Sequence, residues 1–125
     1  MIPPRPRYLN LLKIHLPITG LISILHRISG ILLFFFIPLI IWVLQFSLSS
    51  SENFQKIQES IYSPLGGIIL TLFLFILMQH LFAGLRFLLM DLDFCMDKQA
   101  SRKTAVLGLL MSVLATVMII MGIYL

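Results

Sequence analysis

The chain is poor in charge. Only 14 of its 125 residues are Asp, Glu, Lys or Arg, a share of 11% against about 25% in ordinary soluble domains. With 59% hydrophobic residues and a mean hydropathy of +1.04, this excludes a free-standing soluble enzyme and a disordered tail. Cysteine is nearly absent: Cys95 stands alone, which excludes a disulfide-stapled secreted domain and offers no pattern for a cluster or zinc site. The net charge of +4 does not point to nucleic acid, because the basic residues flank apolar runs instead of mixing with aromatics in a patch. The start, MIPPRPRYLN, has no short apolar core before a small-residue cleavage site and is not rich in Arg and Ser, so no removable signal or transit peptide is expected.

The few charges present are segregated. Ile28 to Ser51, Ser60 to Leu85 and Thr104 to Leu125 contain no Asp, Glu, Lys or Arg. Each run is long enough to cross a bilayer, for which about 20 apolar residues suffice. The expected fold is therefore all-α, a single membrane-anchor domain over residues 1–125 with three transmembrane helices at approximately 24–48, 64–90 and 104–125. Arg5, Arg7, Lys13 and Arg27 precede the first span and Arg86, Lys98, Arg102 and Lys103 lie between the second and third, against Lys56 in the other loop. By the positive-inside rule the N-terminus is cytoplasmic and the C-terminus outside.

Pro17 is suited to the first position of a helix running to about Ser47, roughly 32 residues and about 48 Å, so its first turns should protrude on the cytoplasmic side. Pro38 should kink it modestly. The segment SLSSSENFQKIQESIYSP reads as a connector with at most a surface helical turn. Gly108, Ser112 and Ala115/Thr116 form a small-residue ridge suited to close helix packing. Three helices bury few faces among themselves, and a partner subunit is expected.

Ionisable groups in a span cost several kcal/mol unless paired, hydrated or used. Ser23, His26, Arg27 and Gly30, at spacing i, i+3, i+4 and i+7, share a helix face where the first span enters the cytoplasmic leaflet. Their plain reading is a snorkelling Arg27, an interfacial His26 and two small packing residues. Further on, His80, Gly84, Phe87 and Asp91 stay within about 40° on one face while Arg86 points about 120° away. Counted from Met90, His80 lies roughly 15 Å up its helix and near mid-membrane. It must there be neutral, hydrogen-bonded or metal-bound, and Gly84 one turn below leaves space for a flat group. Neutral imidazole is a common axial ligand of haem iron. His26 should lie too shallow to be the second ligand, and His15 shallower still, so a bis-histidine site would need a histidine from another chain. The Ser23 hydroxyl and the Arg27 cation suit a quinone carbonyl as it gains negative charge, and equally a phospholipid head group or a partner's carboxylate.

Taken together, Arg5-Pro6, the string Ser23-Ile24-Leu25-His26-Arg27-Ile28-Ser29-Gly30, and His80-x-x-x-Gly84-x-Arg86 with Asp91 resemble the cytochrome b membrane-anchor subunit of succinate dehydrogenase, the larger of its two hydrophobic chains. The resemblance covers most of the chain. It implies a role in passing electrons from succinate, through a flavoprotein subunit and an iron–sulfur subunit, to ubiquinone, with no catalysis by this chain alone. It also implies haem b with His80 as the axial iron ligand, the opposite ligand coming from a second small hydrophobic anchor subunit. Ser23 and Arg27 match quinone-site residues, and His26, Arg27 and Arg86 match candidates for the haem propionates or the cytoplasmic interface. The expected location is a bacterial cytoplasmic (inner) membrane rather than a mitochondrial one, with no nucleic-acid partner. A haem-free anchor and an unrelated three-span protein are the alternatives. The family commonly carries a histidine where this chain has Phe87, which puts one propionate contact in question. The string Asp91, Asp93, Asp97 lacks the glycine and terminal glutamate of a calcium loop and reads as a solvated turn, and Phe34 to Phe36 as lipid-facing or packing surface.

Overall fold

A computed structural model describes residues 16–94 and 97–125. Arg5, Arg7, Lys13, His15 and Cys95 lie outside the described residues. Four helices follow in chain order: α1 (Ile18–Ser49), α2 (Ser51–Tyr62), α3 (Pro64–Asp91) and α4 (Lys98–Tyr124). Among the described residues there is no strand. α1, α3 and α4 are long and apolar enough to cross a membrane, as the charge-free runs require. α1 and α4 each start six residues before the expected span, at Ile18 and Lys98, while α3 ends one residue beyond it. α1 has the expected 32 residues, although Pro17 caps it from outside in an extended conformation instead of forming its first turn. The helix runs through Pro38 without a break in assignment.

The connector after α1 is more ordered than its composition suggests. The chain forms a three-turn helix, α2, because Ser50 caps it, its Oγ accepting from the Asn53 amide at 3.1 Å, and Glu52 puts negative charge in the first turn. Glu52 and Lys56 add an exposed ion pair at 2.7 Å, contributing only about 0.3–0.5 kcal/mol. One residue, Ser63, turns the chain into α3: its Oγ accepts from the Gly66 amide at 3.1 Å and Pro64 supplies a preset φ at the helix start. At the same end Tyr62 and Tyr124 meet edge to face, with the Tyr124 hydroxyl donating to the Ile61 carbonyl at 2.6 Å.

The opposite, basic end holds the turn from α3 to α4. Asp93 there takes the left-handed conformation, φ 63°, which Asp tolerates better than most residues. Asp97 caps α4, accepting from the Ala100 amide at 3.0 Å. The Asp91–Asp97 string is thus turn and cap, and among the described residues no three His, Cys, Asp or Glu side chains cluster as metal ligands.

Packing follows residue size. α3 lies against both α1 and α4. Among the described residues the buried apolar side chains are Ile22, Ala83 and Ala105, one from each long helix, with Ile18, Leu25, Phe87 and Leu109 around them. Along α4 the small residues Ala105, Ser112 and Thr116 are buried, so the ridge expected from Gly108, Ser112 and Ala115/Thr116 is real and extends down to Ala105. Ser112 Oγ lies 3.1 Å from Gln79 Oε1 of α3, a buried interhelical polar contact of the kind that holds membrane helices together. Most large apolar side chains face outward, Phe34 and Phe35 among them, whereas Phe36 turns in against Phe73 with ring centroids 5.0 Å apart.

Gly66 is the tightest point of the fold. A Cβ there would overlap the Ser60 carbonyl. Gly66→Ala should therefore force α2 away from α3 and lower stability by about 1–3 kcal/mol, measured as a fall in the thermal unfolding midpoint of the detergent-solubilised protein, while Gly122→Ala, where a Cβ meets nothing within 4 Å, should leave it unchanged.

Candidate functional site

The two polar clusters expected from the sequence come together on facing surfaces of α1 and α3. These helices run antiparallel, and His26 lies eight residues in from the start of α1 while His80 lies eleven from the end of α3. At 1.5 Å per residue both sit about 12–16 Å from the same end. The expected difference in depth between the two histidines is therefore not found. It came from setting the membrane boundary separately on each span, at Arg27 on the first and at Met90 on the second, whereas the seam brings the two rings side by side.

The imidazoles of His26 and His80 stack, with centroids 4.2 Å apart and planes 14° from parallel. Each ring rests on a glycine of the other helix. A Cβ on Gly30 would come within 3.1 Å of His80 Cε1, and one on Gly84 within 3.2 Å of His26 Cε1. The flat group that Gly84 admits is thus the His26 imidazole, within the chain. Stacked rings cannot share one metal ion, because nitrogen lone pairs lie in the ring planes and not along the stacking axis. Ring geometry, not depth, keeps His26 from joining His80 on one ion.

His80 is held by its Nδ1. That atom lies 3.2 Å from the His26 carbonyl oxygen and 3.1 Å from Ser29 Oγ. A carbonyl can only accept, so Nδ1 carries the hydrogen and Nε2 keeps its lone pair. Donation from the far nitrogen to a backbone carbonyl is how metal-bound histidines are ordinarily fixed. Both rings border an open groove of about 390 Å³ lined also by Leu81, Gly84, Leu85, Phe87 and Leu88. An orientated imidazole with a free lone pair beside an apolar groove fits a haem iron. Phe87 joins the same groove, its ring 5.3 Å from His26, and also packs on the apolar core. His26 Nδ1 is buried without a hydrogen-bond partner among the described residues.

The other site residues lie apart from this pair. Ser23 is half-buried on α1 and Arg27 is exposed. Neither forms a hydrogen bond or ion pair with a described residue, so both polar groups are available. Arg86 points away from His80, as expected, and is buried against α4. Its Nη2 donates to Ser101 Oγ at 2.9 Å and to the Ser101 carbonyl at 3.2 Å, and its Nε to Thr104 Oγ1 at 3.3 Å. Sequence reasoning did not anticipate Ser29, Ser101, Thr104 or Gln79. Ser29 left a trace: a serine in a helix commonly donates to the carbonyl three or four residues back, which here is that of His26, at 2.8 Å.

Three membrane-length helices, with a histidine pair stacked between two of them beside an open groove, define a helical membrane protein. Residues 1–119 match the family model described as succinate dehydrogenase/fumarate reductase transmembrane subunit, and the chain belongs to that family. It is 35% identical over 116 residues to the succinate dehydrogenase cytochrome b556 subunit of Coxiella burnetii, covering 91% of this chain and 92% of the relative. It is also 35% identical over 101 residues to the protein of the same name from Paracoccus denitrificans, covering 81% of this chain and 78% of that relative. Both relatives are bacterial cytochrome b subunits of an oxidoreductase complex, and the three long apolar helices suit a multi-pass protein of a bacterial inner membrane.

The glycine seats yield a direct test. Gly30→Val would push the His80 ring off α1 and open the α1–α3 seam, lowering stability by about 1–3 kcal/mol. The thermal unfolding midpoint of the purified protein measures this, with Gly20→Ala as a control, since a Cβ there meets its first neighbour at 3.7 Å.

Proposed function

We propose that this chain is the haem b-binding membrane anchor of a succinate dehydrogenase, that it docks the flavoprotein and iron–sulfur subunits at its basic end, and that it helps to form the ubiquinone-reduction site. The observation that carries the reading is His80, with Nδ1 engaged and Nε2 carrying a lone pair beside the groove. His80 would hold the haem iron from this chain, and a second small anchor subunit would supply the other ligand. Bound there, haem b supplies a one-electron reservoir inside the membrane.

The chain's own residues have distinct tasks in this reading. His80 would hold the iron, while His26 and Arg27, neighbours on α1, would take the propionates. Arg86 holds α4 against the basic end of α3 through Ser101 and Thr104, on the side of α3 away from His80. Ser23 and Arg27, one turn apart and unengaged, meet the quinone head group: the hydroxyl donates to a carbonyl and the cation stabilises negative charge as the ring is reduced. The basic end faces the cytoplasm, with the N-terminus on that side and the C-terminus outside.

A dithionite-reduced minus oxidised spectrum of the purified complex should show a b-type signal that His80→Ala abolishes. A complex with no such signal would leave the haem-free anchor as the correct reading. Succinate-to-quinone turnover should fall about tenfold or more in Arg27→Leu, from the loss of a charge-assisted contact of about 1.5–3 kcal/mol, and less in Ser23→Ala, with haem content kept in both. Unchanged turnover removes these residues from the quinone site.

A further inference from the structure

The hydroxyl of Ser29 has one proton to give. It lies 2.8 Å from the His26 carbonyl oxygen and 3.1 Å from His80 Nδ1, and the shorter contact, to an atom that can only accept, takes the proton. With its proton committed there, Ser29 Oγ can only accept from Nδ1–H. The same N–H meets the His26 carbonyl at 3.2 Å. One imidazole N–H is thus received by two oxygens from a single turn of α1, and those oxygens are themselves joined by the hydroxyl proton. Ser29 is only 5% exposed, so no bulk water competes for this contact.

We propose that Ser29 is the positioning residue of His80: its hydroxyl fixes the tautomer of the ring and the rotation of its plane, so that Nε2 faces the groove with its lone pair. A single carbonyl acceptor would fix the tautomer but leave the plane free to pivot about the Nδ1–H direction. The second acceptor, next to Gly30, where a Cβ would come within 3.1 Å of Cε1, removes that freedom. The inference rests on the reading of His80 as a haem ligand. It goes beyond it by assigning the orientation of the ligand to one hydroxyl on the neighbouring span.

The purified complex is the system for the test, and the readout is the low-temperature electron paramagnetic resonance of the oxidised haem, whose largest g value follows the angle between the two axial ring planes. Ser29→Ala should keep the b-type difference spectrum but shift and broaden that g feature, and Ser29→Thr, which restores the hydroxyl, should return it to the wild-type position. Loss of haem in Ser29→Ala but not in Ser29→Thr also supports the proposal. A wild-type g value and linewidth in Ser29→Ala overturns it, as does equal behaviour of the Ala and Thr variants, whether both are shifted or both lack haem. A His80→Ala complex that keeps its haem spectrum overturns the ligand reading itself, a separate outcome from a silent Ser29→Ala.

Discussion

Everything at the site depends on the close approach of α1 and α3, and that approach depends on two glycines. In a bilayer there is little hydrophobic gain in burying one apolar helix face against another, since lipid tails are as apolar as leucine. Contact between spans has to come from dispersion and polar pairing, and both require backbones to come near. Gly30 and Gly84 permit this on opposite helices, and each vacated position is filled by the partner's imidazole. The seam is therefore reciprocal: each helix supplies both a glycine and the imidazole that fills its partner's vacancy. A polar ring that would be costly facing lipid becomes the packing element, stacked and hydrogen-bonded within the protein.

The α3–α4 seam uses a different solution to the same problem. Ala83, Ala105, Ser112 and Thr116 let these helices approach, while Gln79 and Arg86 supply polar contacts near the middle and the basic end. Arg86 is nearly enclosed, yet its donors reach serine and threonine oxygens on the first turns of α4, so a charge on one helix is solvated by hydroxyls and a carbonyl on the next. α3 thus holds its histidine on one side and its arginine on the other, and the angular offset of the two residues along one helix is what separates the roles.

Much of this was legible in the order of residues. Charge segregation marks one span for each long helix, though α1 and α4 begin six residues before the expected bounds, and periodicity alone places His80 and Gly84 on one face with Arg86 on another. The strings around His26 and His80 carry the family. What could not be read was register across helices. Depth counted along each span separately put His26 and His80 at different levels, because a charged residue such as Arg27 marks the membrane surface only loosely when its long side chain can extend several ångströms. The pairing of Gly84 with His26, and of Ser29 with His80, are contacts between segments some fifty residues apart that no local pattern encodes. The helix α2 was hidden for another reason: its polar composition looks like loop, and only the Ser50 cap and the dense run of good helix formers after it favour a helix.

The outward face of the bundle, with Phe34, Phe35, Leu48 and Leu65 more than 60% exposed, sets few conditions on its residues beyond being apolar. Lipid accepts Leu, Ile, Phe or Val with little change in energy, whereas each seam position admits one size or one donor. The information that specifies this protein is therefore unevenly stored. It is concentrated in a thin internal strip of Gly, Ala, Ser, Thr, His and Arg, while the lipid-facing majority is free to drift. Two relatives differ from this chain at about two residues in three over the matched length, a divergence that a lipid-facing majority can absorb.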